Sequence, residues 1–221
     1  MPTGPSLTRR DFVKTVSAAG TTLLAATAIR AADPPGVTLA VLGAAHMHTS
    51  MYLQMLQTRE DVKVAYVWDH DAARAAKHAA ECGAKTAKTA ADVLGDPAVV
   101  GVVILSETSL HAELATAAAR AGKHLFIEKP IGVGTKDASE IADAIEKAGV
   151  LFNTGYHLRS ASRNIFIKEN VAQGNLGQIV RVQASFCNDC VLLGDFDNEL
   201  RWTVDPKWGA LGGFADIGTH A

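Results

Sequence analysis

Residues 37–48 read VTLAVLGAAHMH. Residues 37–42 form an unbroken apolar run of strand length, so both faces of that strand should be buried, as in a parallel sheet. The run ends at Gly43, and a helical stretch follows over about 49–57. A second apolar strand, residues 62–68, closes at Asp69. Strand, helix and strand in so short a span make a βαβ unit.

On the C-terminal side the alternation continues. Helices are expected over 72–82, 90–94, 110–121 and 137–148, strands over 99–105, 124–127 and 150–154, and a short segment at 85–86. The fold class predicted is therefore α/β, with a doubly wound, Rossmann-type parallel sheet spanning residues 36–154. After Tyr156 the pattern changes. A helix over about 160–173 ends at Gly174-Asn175, and in residues 178–186 β-branched residues alternate with polar ones, which predicts a strand with one covered face. Since one strand cannot make a stable sheet, residues 155–221 read as the start of an α+β domain with a mostly antiparallel sheet, incomplete here.

Gly43-Ala44-Ala45-His46-Met47-His48 stands where a dinucleotide-binding fold places its G-x-G-x-x-G turn, with only the first glycine present. Ala45 crowds the usual approach to a pyrophosphate, and His48 must alter helix–strand packing. The helix N-terminus still offers backbone N–H groups to phosphate. Asp69, at the end of the second strand, can accept hydrogen bonds from both ribose hydroxyls and would repel a 2'-phosphate. NAD is the expected cofactor, with NADP possible. His46 and His48 are also potential metal ligands, but they need further partners that a turn packed on a sheet is not expected to supply, so no metal is expected. Cys187-Asn188-Asp189-Cys190 is a lone C-x-x-C, read as a labile disulfide or two unrelated thiols.

On the N-terminal side, Thr8-Arg9-Arg10-Asp11-Phe12-Val13-Lys14 precedes an uncharged, weakly apolar run over 15–29 and then small residues. That order matches a twin-arginine export signal over residues 1–32, with cleavage after Ala28, Ala31 or Ala32, and it is too short and mild for a membrane span. Export to the periplasm or beyond, through the twin-arginine machinery, follows as an expectation. The 221 residues are 48% hydrophobic with a net charge of −2, which suits a globular protein and gives no electrostatic footprint for nucleic acid. The three cysteines are too few for a disulfide scaffold.

Further motifs carry a resemblance. Ala121-Gly122-Lys123-His124 leads through an apolar strand to Glu128-Lys129-Pro130, and Gly212-Gly213-Phe214-Ala215-Asp216-Ile217-Gly218-Thr219-His220 follows near the end. Together with Asp69, the loop from Leu105 to His111, Tyr156-His157-Leu158-Arg159 and Gly174–Ile179, these segments resemble the glucose-fructose oxidoreductase and inositol dehydrogenase (Gfo/Idh/MocA) family. The resemblance implies a Rossmann domain, then a sheet domain holding a carbohydrate or polyol substrate against a nicotinamide, and a homo-oligomer when the chain is full length. It places Gly43, Ala45, His46, Asp69, Ser106, His111, Glu128 and Lys129 at the cofactor, and Lys129, Tyr156, Arg159 and His220 at the substrate. Two departures stand out: the degenerate glycine turn, and Ser106-Glu107-Thr108 where the family commonly has T-P-N. The family also continues for another hundred residues or more, which makes this sequence read as a fragment.

Within that setting Lys129 can hydrogen-bond a substrate hydroxyl and favour an alkoxide-like transition state. Asp216 and His220 lie four residues apart, on one face of a helix, so the carboxylate can orient the imidazole as a general base. The leading expectation is hydride transfer between a sugar or polyol hydroxyl and a tightly held nicotinamide. Glycoside hydrolysis through transient oxidation of the sugar, and sugar binding without catalysis, are the alternatives.

Overall fold

The structure is a computed structural model that describes residues 36–185, 187, 189, 192–194, 196, 198–209, 212 and 217–220. The export signal, Asp216 and Cys190 lie outside the described residues. Strands β1 (Val37–Ala44), β2 (Val62–Trp68), β3 (Lys85–Thr86), β4 (Gly101–Leu105), β5 (His124–Ile127) and β6 (Phe152–Thr154) form one sheet in the order β3-β2-β1-β4-β5-β6. Every pairing is parallel. The order reverses between β1 and β4, the switch point at which sheets of this kind bind ligands beyond their carboxyl ends.

Helices α1 (Thr49–Gln57), α2 (Ala72–Cys82), α3 (Ala90–Gly95), α4 (His111–Arg120) and α5 (Thr135–Ala148) connect the strands. Alternate residues of each strand point to opposite faces, and two separate cores result. Ala40, Leu42, Val102, Ile104, Leu125 and Ile127 pack with Leu114 and Ala118 of α4 and Ile141 of α5. Val41, Val67, Val103 and Leu105 pack with Leu53 of α1 and Ala79 of α2 on the other face. The continuous apolar run of β1 thus serves both layers at once.

Local chemistry sets the helix ends. Asp71 caps α2 by accepting from Ala73 N and Arg74 N, and Gly83 ends it in the left-handed region at φ 67°. Thr89 and Asp92 make a reciprocal capping box at α3. Gly43 has φ 76° and sits where the β1–β4 register shifts between Leu42 and Ala44, a bulge that turns the chain out of the sheet.

Beyond the sheet, α6 (Ser162–Ala172) buries none of its residues. The strand expected over 178–186 does not form: its described residues, 178–185, are exposed and unpaired. The cause is physical. The alternation that predicted it records a side-chain preference, but a strand exists only through hydrogen bonds to a neighbour, and no described segment lies alongside. Val180 and Val182 are 89% and 82% exposed.

Candidate functional site

The site is built on the carboxyl edge of the sheet, from the turn after β1, Asp69 after β2, residues 106–108 after β4 and residues 128–130 after β5. The turn is pinned from beneath by the His46 N–H donating to Leu105 O at 2.9 Å. Gly43 approaches β4 so closely that a Cβ there would lie 2.2 Å from Ser106 Cβ and 2.5 Å from Ser106 Cα. That contact explains why this glycine persists while the other two motif positions are Ala45 and His48. From above, Trp202 Nε1 donates to Ala45 O at 3.1 Å, so a short helical segment, Asn198–Val204, lies over the turn.

Asp69 is buried, and both its oxygens are engaged. The Ala44 N–H and Arg74 Nε donate to Oδ2 at 2.7 and 2.8 Å. The Asp71 N–H and Arg74 Nη2 donate to Oδ1 at 2.7 and 2.8 Å. Four donors fill the acceptor sites of a carboxylate, so a ribose diol reaches Asp69 only if Arg74 moves aside. Arg74 also donates to Glu107 Oε1 at 2.7 Å, and His70 Nε2 lies 3.3 Å from that oxygen. Burial alone would lower the Arg74 pKa, but its bonds to Asp69 and the charges of Asp69 and Glu107 raise it. Arg74 and His70 were not singled out from the sequence, and Glu107 only as part of the loop over 106–108. The signal for Arg74 is its place in the first turn of the helix capped by Asp71, two residues beyond the strand-end acid.

Glu128 is fully buried and gathers side chains from distant segments. His48 Nδ1 lies 2.6 Å from Glu128 Oε1, the Tyr52 hydroxyl donates to the same oxygen at 3.2 Å, and the Lys129 N–H donates to Oε2. Burial pushes the Glu128 carboxyl up, but the His48 hydrogen bond, the two nearby histidines and the Lys129 N–H outweigh it and hold it at about 2. Burial, with the Glu128 charge and hydrogen bond, pushes the Tyr52 hydroxyl well above its usual value. Gly155 makes this packing possible, because a Cβ there would lie 2.5 Å from Glu128 Oε2.

His111 is fully buried, with Nδ1 2.9 Å from Pro130 O and Nε2 3.2 Å from Ser106 O. It braces the loops after β4 and β5 against each other, and both ring nitrogens face main chain. Lys129 is 3% exposed and borders a small cleft with His46, Thr108, Pro130 and Trp202. Tyr156, Arg159 and His220 come together around a different cavity of about 420 Å³, with the Tyr156 and His220 rings 5.8 Å apart. Neither lining contains both Lys129 and His220.

A cavity of about 510 Å³ runs from Ala45, His46 and Met47 past Thr49 and Ser50 at the start of α1 to Arg74 and Lys77 of α2. The start of α1 offers main-chain N–H groups that suit the diphosphate of a dinucleotide, while Arg74 is paired with Asp69 and Glu107 and Lys77 with Glu199, so the helix start is what fits the cofactor expected from the sequence.

Residues 37–156 match the family described as "Oxidoreductase family, NAD-binding Rossmann fold" (GFO_IDH_MocA). The 1,5-anhydro-D-fructose reductase of Ensifer adhaerens is 35% identical over 117 residues, which is 52% of this chain and 35% of that protein. The myo-inositol 2-dehydrogenase of Thermotoga maritima is 34% identical over 94 residues, 42% of this chain and 28% of that protein. The chain thus covers about a third of the length of these relatives. Among solved structures, a levoglucosan dehydrogenase in complex with NADH and L-sorbose superposes with a TM-score of 0.71 at 21% identity, covering 84% of this chain and 50% of that one, a likeness of fold.

Proposed function

The chain belongs to the Gfo/Idh/MocA oxidoreductase family, and from that premise we propose that it serves hydride transfer between a sugar or polyol hydroxyl and a tightly held NAD, with NADP as the alternative cofactor. One observation carries the reading: the ammonium-bearing Lys129 is buried at the end of β5, on the ligand-binding rim, beside His46 of the cofactor turn. The sugar and polyol names of the matching relatives support the substrate class.

When bound, the nicotinamide supplies the hydride acceptor. Lys129 holds the substrate hydroxyl by a charge-assisted hydrogen bond and stabilises negative charge developing on its oxygen. His220 takes the hydroxyl proton, and Asp216 orients its imidazole. Tyr156 and Arg159 shape the cavity on the His220 side. Lys129 and His220 line different cavities, so the two act on one hydroxyl only when the segments that bear them draw together around the substrate. The twin-arginine signal would carry the protein out of the cytoplasm already folded. Free nicotinamide nucleotides are expected to be scarce there, which favours a cofactor recycled in place.

The test is to release and identify the nucleotide that co-purifies with the protein, and then to screen free sugars and polyols for its reduction. A bound NAD(P) reduced by at least one such compound is expected. Purification without nucleotide, and no binding of added NAD(P), would overturn the proposal.

A further inference from the structure

We infer that His46, His48 and Glu128 form a binding site for one divalent transition-metal ion of the zinc class. The sequence argued against a metal here because two histidines on a turn need another ligand, and that ligand is supplied by Glu128 from the far side of the switch point. One potential ligand atom from each of the three residues lies within 4.8 Å of the others. The side chains of His46 and Glu128 are 4% and 0% exposed, and that of His48 is 29% exposed. The cluster is thus shielded from solvent on the sheet side and reachable from the His48 side.

His48 Nδ1 bonds Glu128 Oε1 directly at 2.6 Å, but His46 Nδ1 stands 3.9 Å from the same oxygen, too far for a hydrogen bond. The two imidazole centroids are nevertheless 4.7 Å apart, so both rings converge on one carboxylate. Nitrogen and oxygen ligands of a tetrahedral zinc ion lie about 3.3 Å from each other, given bond lengths of about 2.0–2.1 Å. Binding therefore needs the 2.6 Å pair to open and the 3.9 Å pair to close, with the two histidine nitrogens, within 4.8 Å of each other, drawing together as well.

The surroundings prepare the ligands. The His48 N–H donates to His46 Nδ1 at 3.2 Å, which marks that nitrogen as the lone-pair bearer, and a metal bound there would take the lone pair in place of that hydrogen bond. The Tyr52 hydroxyl and the Lys129 N–H donate to the Glu128 carboxylate, the outer hydrogen bonds that orient a metal-binding carboxylate. Two histidines and one glutamate match the ion preference of zinc and its neighbours, and three protein ligands leave a fourth position for water or another oxygen donor.

The experiment uses the full chain, stripped with chelator and titrated with Co²⁺ and then Zn²⁺, and reads no turnover, so its outcome is independent of the hydride-transfer proposal. One equivalent of Co²⁺ should bind with the visible absorption of a four- or five-coordinate ion, and Zn²⁺ should displace it. Losing an outer hydrogen bond to a ligand already costs about 10- to 100-fold in affinity. His48→Gln and Glu128→Gln, each removing a ligand, should therefore weaken binding by at least about 100-fold. His48 is partly exposed, so His48→Gln decides the matter even if Glu128→Gln fails to fold, and far-ultraviolet circular dichroism checks both. Cys187→Ala should leave binding unchanged. Absence of a one-to-one site, a thiolate-to-cobalt charge-transfer band, or undiminished binding in a folded His48→Gln protein would each overturn the inference.

Discussion

Replacing Gly43 by alanine tests how the cofactor turn is held against the sheet. The substitution meets two independent penalties. At φ 76° an L residue pays about 1–2 kcal/mol for the left-handed conformation. The new Cβ would also lie 2.2 Å from Ser106 Cβ, 2.5 Å from its Cα and 2.7 Å from its N. Two of those three atoms are main chain at the end of β4, so no side-chain rotation relieves the clash, and overpacking of this kind costs about 1–3 kcal/mol. The sum is about 2–5 kcal/mol, a large part of the roughly 5–15 kcal/mol that stabilises a typical domain. Gly83→Ala is the internal control. It shares the positive φ, at 67°, but its Cβ meets nothing within 4 Å. There the left-handed cost is partly offset by about 0.4–1 kcal/mol of lost freedom in the unfolded chain. Urea denaturation of the three proteins, followed by far-ultraviolet circular dichroism, should put Gly43→Ala well below Gly83→Ala, with unchanged m-values. Equal losses in the two variants would refute the claim that close approach to Ser106 is what demands glycine at this position.

Lys129→Ala and His220→Ala should each lower turnover by about 10²- to 10⁴-fold while nucleotide binding, followed by titration, survives; turnover within a few-fold of the parent would remove that residue from the mechanism. Arg74→Ala, which removes one of the two donors from each oxygen of Asp69, should raise the preference for NAD over NADP in direct binding measurements, and an unchanged ratio would show that Arg74 stays out of ribose recognition. Burial lowers the His111 pKa despite two carbonyl neighbours, so the unfolded chain takes up a proton below about pH 6.5 that the folded state resists. Stability should then fall with acidification from that point by up to about 1.4 kcal/mol per pH unit, and His111→Gln should flatten that part of a pH–stability curve.

Much of the Rossmann-type sheet was legible from local pattern because its central strands are short apolar runs and some of its helices carry their own caps. The runs 37–42, 62–68 and 124–127 correspond to β1, β2 and β5, and Asp71, Gly83 and Thr89 stop or start helices by bonds made within a few residues. Adjacency in sequence was enough for these. The strand over 178–186 failed on the same logic, since its pattern was sound but its hydrogen-bonding partner is not among the described residues.

The candidate site divides along the same line. Gly43, Asp69, Ser106, His111 and Lys129 were identified from the chain because each stands at a strand end or in a motif, and strand ends of one parallel sheet necessarily share a rim. What those groups hold onto was decided in three dimensions. Arg74 occupies Asp69, His111 spends its ring on Ser106 and Pro130, and Gly155 makes room for Glu128, none of which a spacing rule encodes. The gathering of His46, His48 and Tyr52 onto Glu128 joins segments roughly eighty residues apart. Only the switch in strand order between β1 and β4 brings the end of β5 close to the turn after β1, so no reading of local pattern could have supplied the carboxylate that completes that cluster.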